Sequence, residues 1–190
     1  MSAADEIRYT RVAITLHWLI AFLILGQIAG GLYMHNLPNT AENKFALYQL
    51  HKSFGITVLL LSLARLGWRL THAAPPMPAS MPNWQKLGAQ ISHIGFYVLM
   101  IGTPLLGWAM VSASPWGIPT KLFGVIPWPH LPVFSTLENK EPVEEILKEM
   151  HEVAAFAIIG LLVLHIAAAL KHQYADKDGV LARMLPFLKG

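Results

Sequence analysis

The chain contains no cysteine and little charge: only 13% of its 190 residues are Asp, Glu, Lys or Arg, against 54% hydrophobic. Without cysteine there can be no thiolate-bound zinc, no iron-sulfur cluster, no covalent CxxCH haem attachment and no disulfide. The shortage of charge excludes an ordinary soluble domain, in which about a quarter of residues are charged. The His-Glu-x-x-His zinc motif is missing too, since His151-Glu152 is followed by Val153, Ala154 and Ala155. Paired Glu-x-x-His motifs, which hold two irons in a helical bundle, are likewise absent.

Long apolar runs are abundant instead. Four of them, at 12–34, 47–70, 91–112 and 151–170, have the roughly 20-residue length that spans a bilayer core as helix. They predict an all-α membrane protein, a single four-helix bundle over 1–190 with helices at 12–34, 47–70, 91–112 and 148–171 and a tail at 172–190. The first run is longer than the apolar region of a signal peptide and carries His17, Trp18 and Gln27, so it reads as a retained helix. With both termini on one side, that side collects Arg8, Arg11, Arg65, Arg69, Lys86, Lys171, Lys177, Arg183 and Lys189. The other holds Lys44, Lys52, Lys121, Lys140 and Lys148. Nine basic residues against five put the termini in the cytoplasm of a bacterial cell, with the protein in its inner membrane. Nothing in this distribution points to nucleic acid; the expected surroundings are lipid.

Two connections stand out. The one after Leu70 carries four prolines and reads as an extended turn. The one from Ser114 to Pro142 mixes Pro, Trp, Phe and Gly before turning acidic, and its apolar part is expected to lie on the membrane surface or cap the bundle. The acidic stretch reads as the first turns of helix 4, and the segment beyond Leu170 as an interfacial tail.

Nine histidines are present, five of them (His17, His51, His93, His151 and His165) inside or at the edge of the apolar runs. Ionisable residues there are costly and usually functional. His35, His72, His130 and His172 lie outside or at the ends of the runs and are expected at the surface or the membrane interface. Because the helices alternate direction, position along a run fixes depth. His51 and His151 fall at the outer level; His17, His93 and His165 fall at the inner one. His151 and His165 are fourteen residues apart, roughly 21 Å along the helix and within about 40° of one face. Two stacked haems, each clamped between histidines from opposing helices, require this arrangement. The outer level offers His51 with His151, the inner level His165 with either His17 or His93. Arg65 lies fourteen residues after His51 and would meet a haem propionate, while Gly31 and Gly107 lie fourteen after His17 and His93 and would let a flat macrocycle approach the backbone. The competing uses are helix packing for the glycines, snorkelling for Arg65 and polar crosslinks for single histidines.

The segments ITLHWLIAF, LHKSFGI with ARLGWRL, SHIGFYVLM and MHEVAAFAIIGLLVLHIAAALKHQYADKDGVLARM resemble the bacterial cytochrome b561 family over nearly the whole chain. That resemblance implies two non-covalent b-type haems, with His17 and His165 as iron ligands on the cytoplasmic side and His51 and His151 on the periplasmic side. His93 then becomes a residue near a haem or a quinone. The family also implies electron transfer across the membrane between a periplasmic donor and ubiquinone, the donor being a protein or, as in the superoxide oxidase of the family, superoxide. Anion capture favours a basic approach, yet the outer side carries Glu138, Glu141, Glu144, Glu145, Glu149 and Glu152. That places a protein donor ahead. A haem-bearing anchor of a larger redox complex is a third reading.

Overall fold

The computed structural model describes residues 8–185 and 187. Its frame is four helices: α1 (Arg11–Asn36), α2 (Lys44–Thr71), α3 (Asn83–Ala113) and α4 (Glu141–Lys171). Each is long and apolar enough to cross a membrane. At 1.5 Å per residue they reach roughly 39 to 47 Å, beyond a hydrocarbon core of about 30 Å, so their ends project into the headgroup layers. Most large apolar side chains in the spans face outward, among them Phe22, Ile94, Val163 and Leu164 at 62–67% exposure. Water would not tolerate that coverage; lipid does.

The helices are longer than the apolar runs, and α3 and α4 begin at 83 and 141 rather than 91 and 148. Hydropathy marks the stretch in lipid, whereas caps and prolines decide where a helix begins. Thr10 caps α1, its Oγ1 accepting from the Ala13 amide at 3.2 Å and from Trp68 Nε1 at 3.0 Å, which ties the inner ends of α1 and α2. The proline-rich 2-to-3 connection ends at Pro82, after which α3 can start. α4 opens with a proline in its first turn and with Glu141 and Glu144 at the positive end of the helix dipole.

Packing around the bundle is uneven. α3 lies most extensively against α4, then α1 against α2 and α2 against α3, while α1 and α4 make no comparably close backbone approach. Between Gly95 of α3 and Leu161 of α4 the fit is tight enough that a Cβ on Gly95 would stand 3.3 Å from Leu161 Cδ2.

The 3-to-4 connection is a folded cap. Within it β1 (Thr120–Leu122) pairs antiparallel with β2 (Ile126–Trp128), and Phe123 and Gly124 turn the hairpin with positive φ. A left-handed phenylalanine is strained. Two contacts hold it: its amide donates to Ser53 Oγ at 2.9 Å, and its ring meets Phe54 edge-on at 5.3 Å. On the α3 side Trp108 Nε1 donates to the Pro129 carbonyl at 2.9 Å and the Leu131 amide donates to Ser112 Oγ at 2.9 Å. Of the two placements expected for this loop, the structure therefore has the cap.

The tail folds against the inner end of the bundle. After a widened turn at His172–Asp176 the chain reverses at Lys177 and packs back on the inner end of the bundle. Trp18 Nε1 donates to the Met184 carbonyl at 2.8 Å, and Arg183 Nη1 donates to the Pro76 carbonyl at 2.6 Å. His172 lies within this fold, 13% exposed, with Nδ1 at 2.7 Å from Asp178 Oδ2 and 3.1 Å from Asp176 Oδ2. The two carboxylates hold the half-buried imidazole within the turn.

Candidate functional site

The outer level is built from all four helices. His51 of α2 and His151 of α4 face one another with ring centres 6.3 Å apart. Behind them stand the two glycines, Gly31 and Gly107. A Cβ on Gly31 would meet His51 Cε1 at 3.5 Å, and one on Gly107 would meet His151 Cε1 at 3.1 Å and Nδ1 at 3.2 Å. Their bare backbones thus face the imidazoles themselves. His151 Nδ1 lies 2.9 Å from the Thr103 carbonyl, an acceptor only, so this nitrogen carries the proton and Nε2 keeps its lone pair. Metal-binding histidines are commonly oriented by such a bond to the backbone. On the far side, Gln27 Nε2 donates to the His51 carbonyl at 3.0 Å.

The inner level holds His17 of α1, His93 of α3 and His165 of α4. His165 lies 6.2 Å from His17 and 6.4 Å from His93, ring centre to ring centre, with Phe96 edge-on at 5.2 Å. Distance does not separate the two partners; α3 and α4 are in contact at Gly95 and Leu161 close to this level, whereas α1 and α4 make no comparably close backbone approach. Arg65 of α2 lies within electrostatic reach of His17, His93 and His165. Among the described residues it has no hydrogen bond or ion pair to a carboxylate.

Between the levels lies a layer that sequence reasoning did not single out. Ile24, Val58, Met100 and Ile158 are buried and cluster together with Ile20. Each stands seven residues, about two turns, beyond His17, His51, His93 and His151 respectively, and so near the same helix face. That spacing was the available signal. The cap residues Ser53 and Ser112, which hold the hairpin, carried none.

Two imidazoles bound on opposite sides of one metal have ring centres roughly 6 Å apart, because a metal–nitrogen bond is about 2.0 Å and that nitrogen lies about 1.1 Å from its ring centre. Both the outer pair and the His17–His165 pair meet this requirement. Paired imidazoles inside a lipid-facing four-helix bundle place the molecule among the membrane cytochromes. The chain belongs to the prokaryotic cytochrome b561 family, whose model matches residues 8–187. It is 31% identical over 179 residues to cytochrome b561 homolog 2 of Escherichia coli K12, covering 94% of this chain and 91% of that one. It is 30% identical to cytochrome b562 of Cereibacter sphaeroides, covering 95% and 97%, and 27% identical to the probable superoxide oxidase CybB of Yersinia pestis, covering 96% and 98%. The protein is therefore a multi-pass electron-transport cytochrome of the bacterial inner membrane, and its cofactor is b-type haem.

The residues fit that group. Beyond the spacing of the imidazoles, Nε2 of His151 is left free by the Thr103 bond, and the unpaired guanidinium of Arg65 meets the need of a carboxylate-bearing ring.

Proposed function

We propose that the protein holds two b-type haems one above the other and passes electrons across the membrane between a periplasmic donor and ubiquinone. His51 and His151 ligate the outer iron, His17 and His165 the inner. The observation that carries this reading is the pair of ring separations, 6.3 and 6.2 Å, at two depths of one bundle. His17 is preferred over His93 because a macrocycle needs lateral room, which the contact of α3 with α4 denies and the gap between α1 and α4 provides. His93 then flanks the inner haem.

The bound haems supply reversible one-electron chemistry at iron. The chain's part would be to hold them through the imidazoles of His17, His51, His151 and His165. Arg65 compensates a propionate's charge at the inner level, and the layer of Ile24, Val58, Met100 and Ile158 excludes water between the two irons. The basic bias of the loops places both termini in the cytoplasm, so the cap over His51 and His151 faces the periplasm.

A second reading, oxidation of superoxide with ubiquinone as acceptor, is favoured by the resemblance to the CybB protein of Yersinia pestis. Against it stand Glu138, Glu141, Glu145, Glu149 and Glu152, all exposed around the outer end of α4, where they would repel an anion and attract a basic protein. Superoxide pulses applied to the oxidised protein, with and without a ubiquinone analogue, test both. Slow haem reduction that ignores the quinone supports a protein donor; fast quinone-linked turnover replaces that reading with the oxidase.

A further inference from the structure

The cap contains two buried nitrogens that the chain leaves without partners. Trp128 Nε1 and His130 Nε2 are both shielded from solvent and have no hydrogen-bond acceptor or donor among the described residues. Unpaired buried donors are uncommon and costly, and an indole N–H can only donate. Trp128 Nε1, and His130 Nε2 in the tautomer that carries its proton there, are two residues apart and so open to one shared acceptor.

Their position says which ligand. Trp128 lies opposite Thr120 in the hairpin, and Thr120 and Leu122 are only 5% and 8% exposed, so this face of β1 points into the bundle, with Trp128 beside its buried end. The Trp128 ring packs on that of Trp108 at 5.4 Å, and the neighbouring Pro129 and Leu131 are bonded to Trp108 and Ser112. Trp108 directly follows Gly107, so it lies at the depth of the His151 ring, about 100° round α3 from the face against which that ring rests. The strip 128–131 is thereby fastened along one turn of α3, immediately outward of the outer imidazole pair. Across the hairpin, Phe123 is fastened to Ser53, two residues past His51.

Charge completes the argument. At the inner level Arg65 stands ready for a carboxylate, whereas the corresponding outer positions of the four helices are Gly31, His51, Gly107 and His151. Lys52 is the nearest cation in sequence, but it is turned about 100° from His51 on α2. A carboxylate at the outer level must find its donors elsewhere, and a charged acceptor is roughly twice as strong a partner as a neutral one.

We infer that Trp128 and His130 donate hydrogen bonds to the propionate carboxylates of the outer haem, so that the 3-to-4 cap is a wall of that site. This rests on the two-haem reading above. It assigns to the connecting loop a part in setting the outer haem's reduction potential, because donors that stabilise a nearby negative charge favour the reduced iron.

Optical redox titration of the purified protein tests it, with haem content measured alongside. Trp128→Phe keeps the ring on Trp108 and removes only the N–H; His130→Leu removes both ring nitrogens, and His130→Gln restores a donor. Trp116→Phe, at an 80% exposed position of the same connection, serves as control. The expected result is a fall of about three- to tenfold in the reduction equilibrium of one haem in Trp128→Phe and His130→Leu, recovery in His130→Gln, and no change in the other haem or in the control. Unmoved potentials in Trp128→Phe and His130→Leu with two haems retained would overturn the inference and leave the two-haem reading standing. Equal shifts of both haems, or loss of a haem from all three variants, would overturn it as well, since a loosened fold would then be the cause. Fewer than two haems in the unaltered protein would instead overturn the reading beneath it.

Discussion

Gly107 and His151 are in a close contact: a Cβ at position 107 would lie 3.1 Å from one ring atom of His151 and 3.2 Å from another, so the ring would have to give by a few tenths of an ångström. Both atoms belong to a ring already held by the Thr103 carbonyl, so the imidazole cannot retreat without giving up that bond. Gly107→Ala is therefore expected to displace His151 and reduce haem content from two to one. Gly31→Ala, whose Cβ would make an ordinary 3.5 Å contact with His51, is expected to keep both. Pyridine haemochrome assay of the two variants checks the contrast, and equal haem loss in both would contradict it.

Substituting the histidines one at a time distinguishes the partners at the inner level. His51→Ala and His151→Ala should each lose the outer haem, and His17→Ala and His165→Ala the inner one, because one imidazole does not replace the second axial bond. His93→Ala should retain two haems, with at most a shift in the spectrum or potential of one. Loss of a haem from His93→Ala together with its retention in His17→Ala would exchange their roles.

Arg65 has no carboxylate partner among the described residues and lies within electrostatic reach of the inner histidines. Arg65→Gln should lower the reduction potential of the inner haem while leaving the outer one unchanged, as removal of a nearby positive charge favours the oxidised iron. Arg65→Lys should fall between, keeping the charge and losing the planar two-pronged contact. Redox titrations of the three proteins make the comparison; identical potentials would mean that the guanidinium reaches the interface instead.

Trp18 directly follows His17 and ties α1 to the returning tail through the Met184 carbonyl at 2.8 Å. Trp18→Phe removes one hydrogen bond and leaves that carbonyl unpaired, a cost of about 1 to 3 kcal/mol. The expected outcome is a lower melting temperature in detergent and easier loss of the inner haem on heating, with the outer haem following later. Simultaneous release of both would show that the tail steadies the whole bundle and not its inner end.

Much of the site was legible because helices impose fixed repeats. The positions His17, Arg65, His93 and His165 on one level, and Gly31, His51, Gly107 and His151 on the other, follow from fourteen-residue spacings and alternating direction. The apolar layer between them obeys the same arithmetic at seven residues, though hydrophobic residues are so common in these runs that the spacing attracted no notice. The cap and the tail were less legible. Their hydrogen bonds, from Phe123 to Ser53, Leu131 to Ser112 and Trp18 to Met184, join residues 19 to 166 positions apart, and no local pattern announces such pairings.

By itself the sequence determined the four spans, the depth of each histidine and the membrane setting, since all three depend on length, hydropathy and a rise of 1.5 Å per residue. Only the tertiary structure decided which faces meet: that the glycines abut imidazoles, that α3 closes on α4 while α1 stands off, and that a proline-rich loop becomes a cap with two unpaired donors. Those outcomes depend on how helices rotate and lean against one another. Rotation and lean are settled by side-chain volumes from distant parts of the chain packing together, which periodicity along any one helix does not encode.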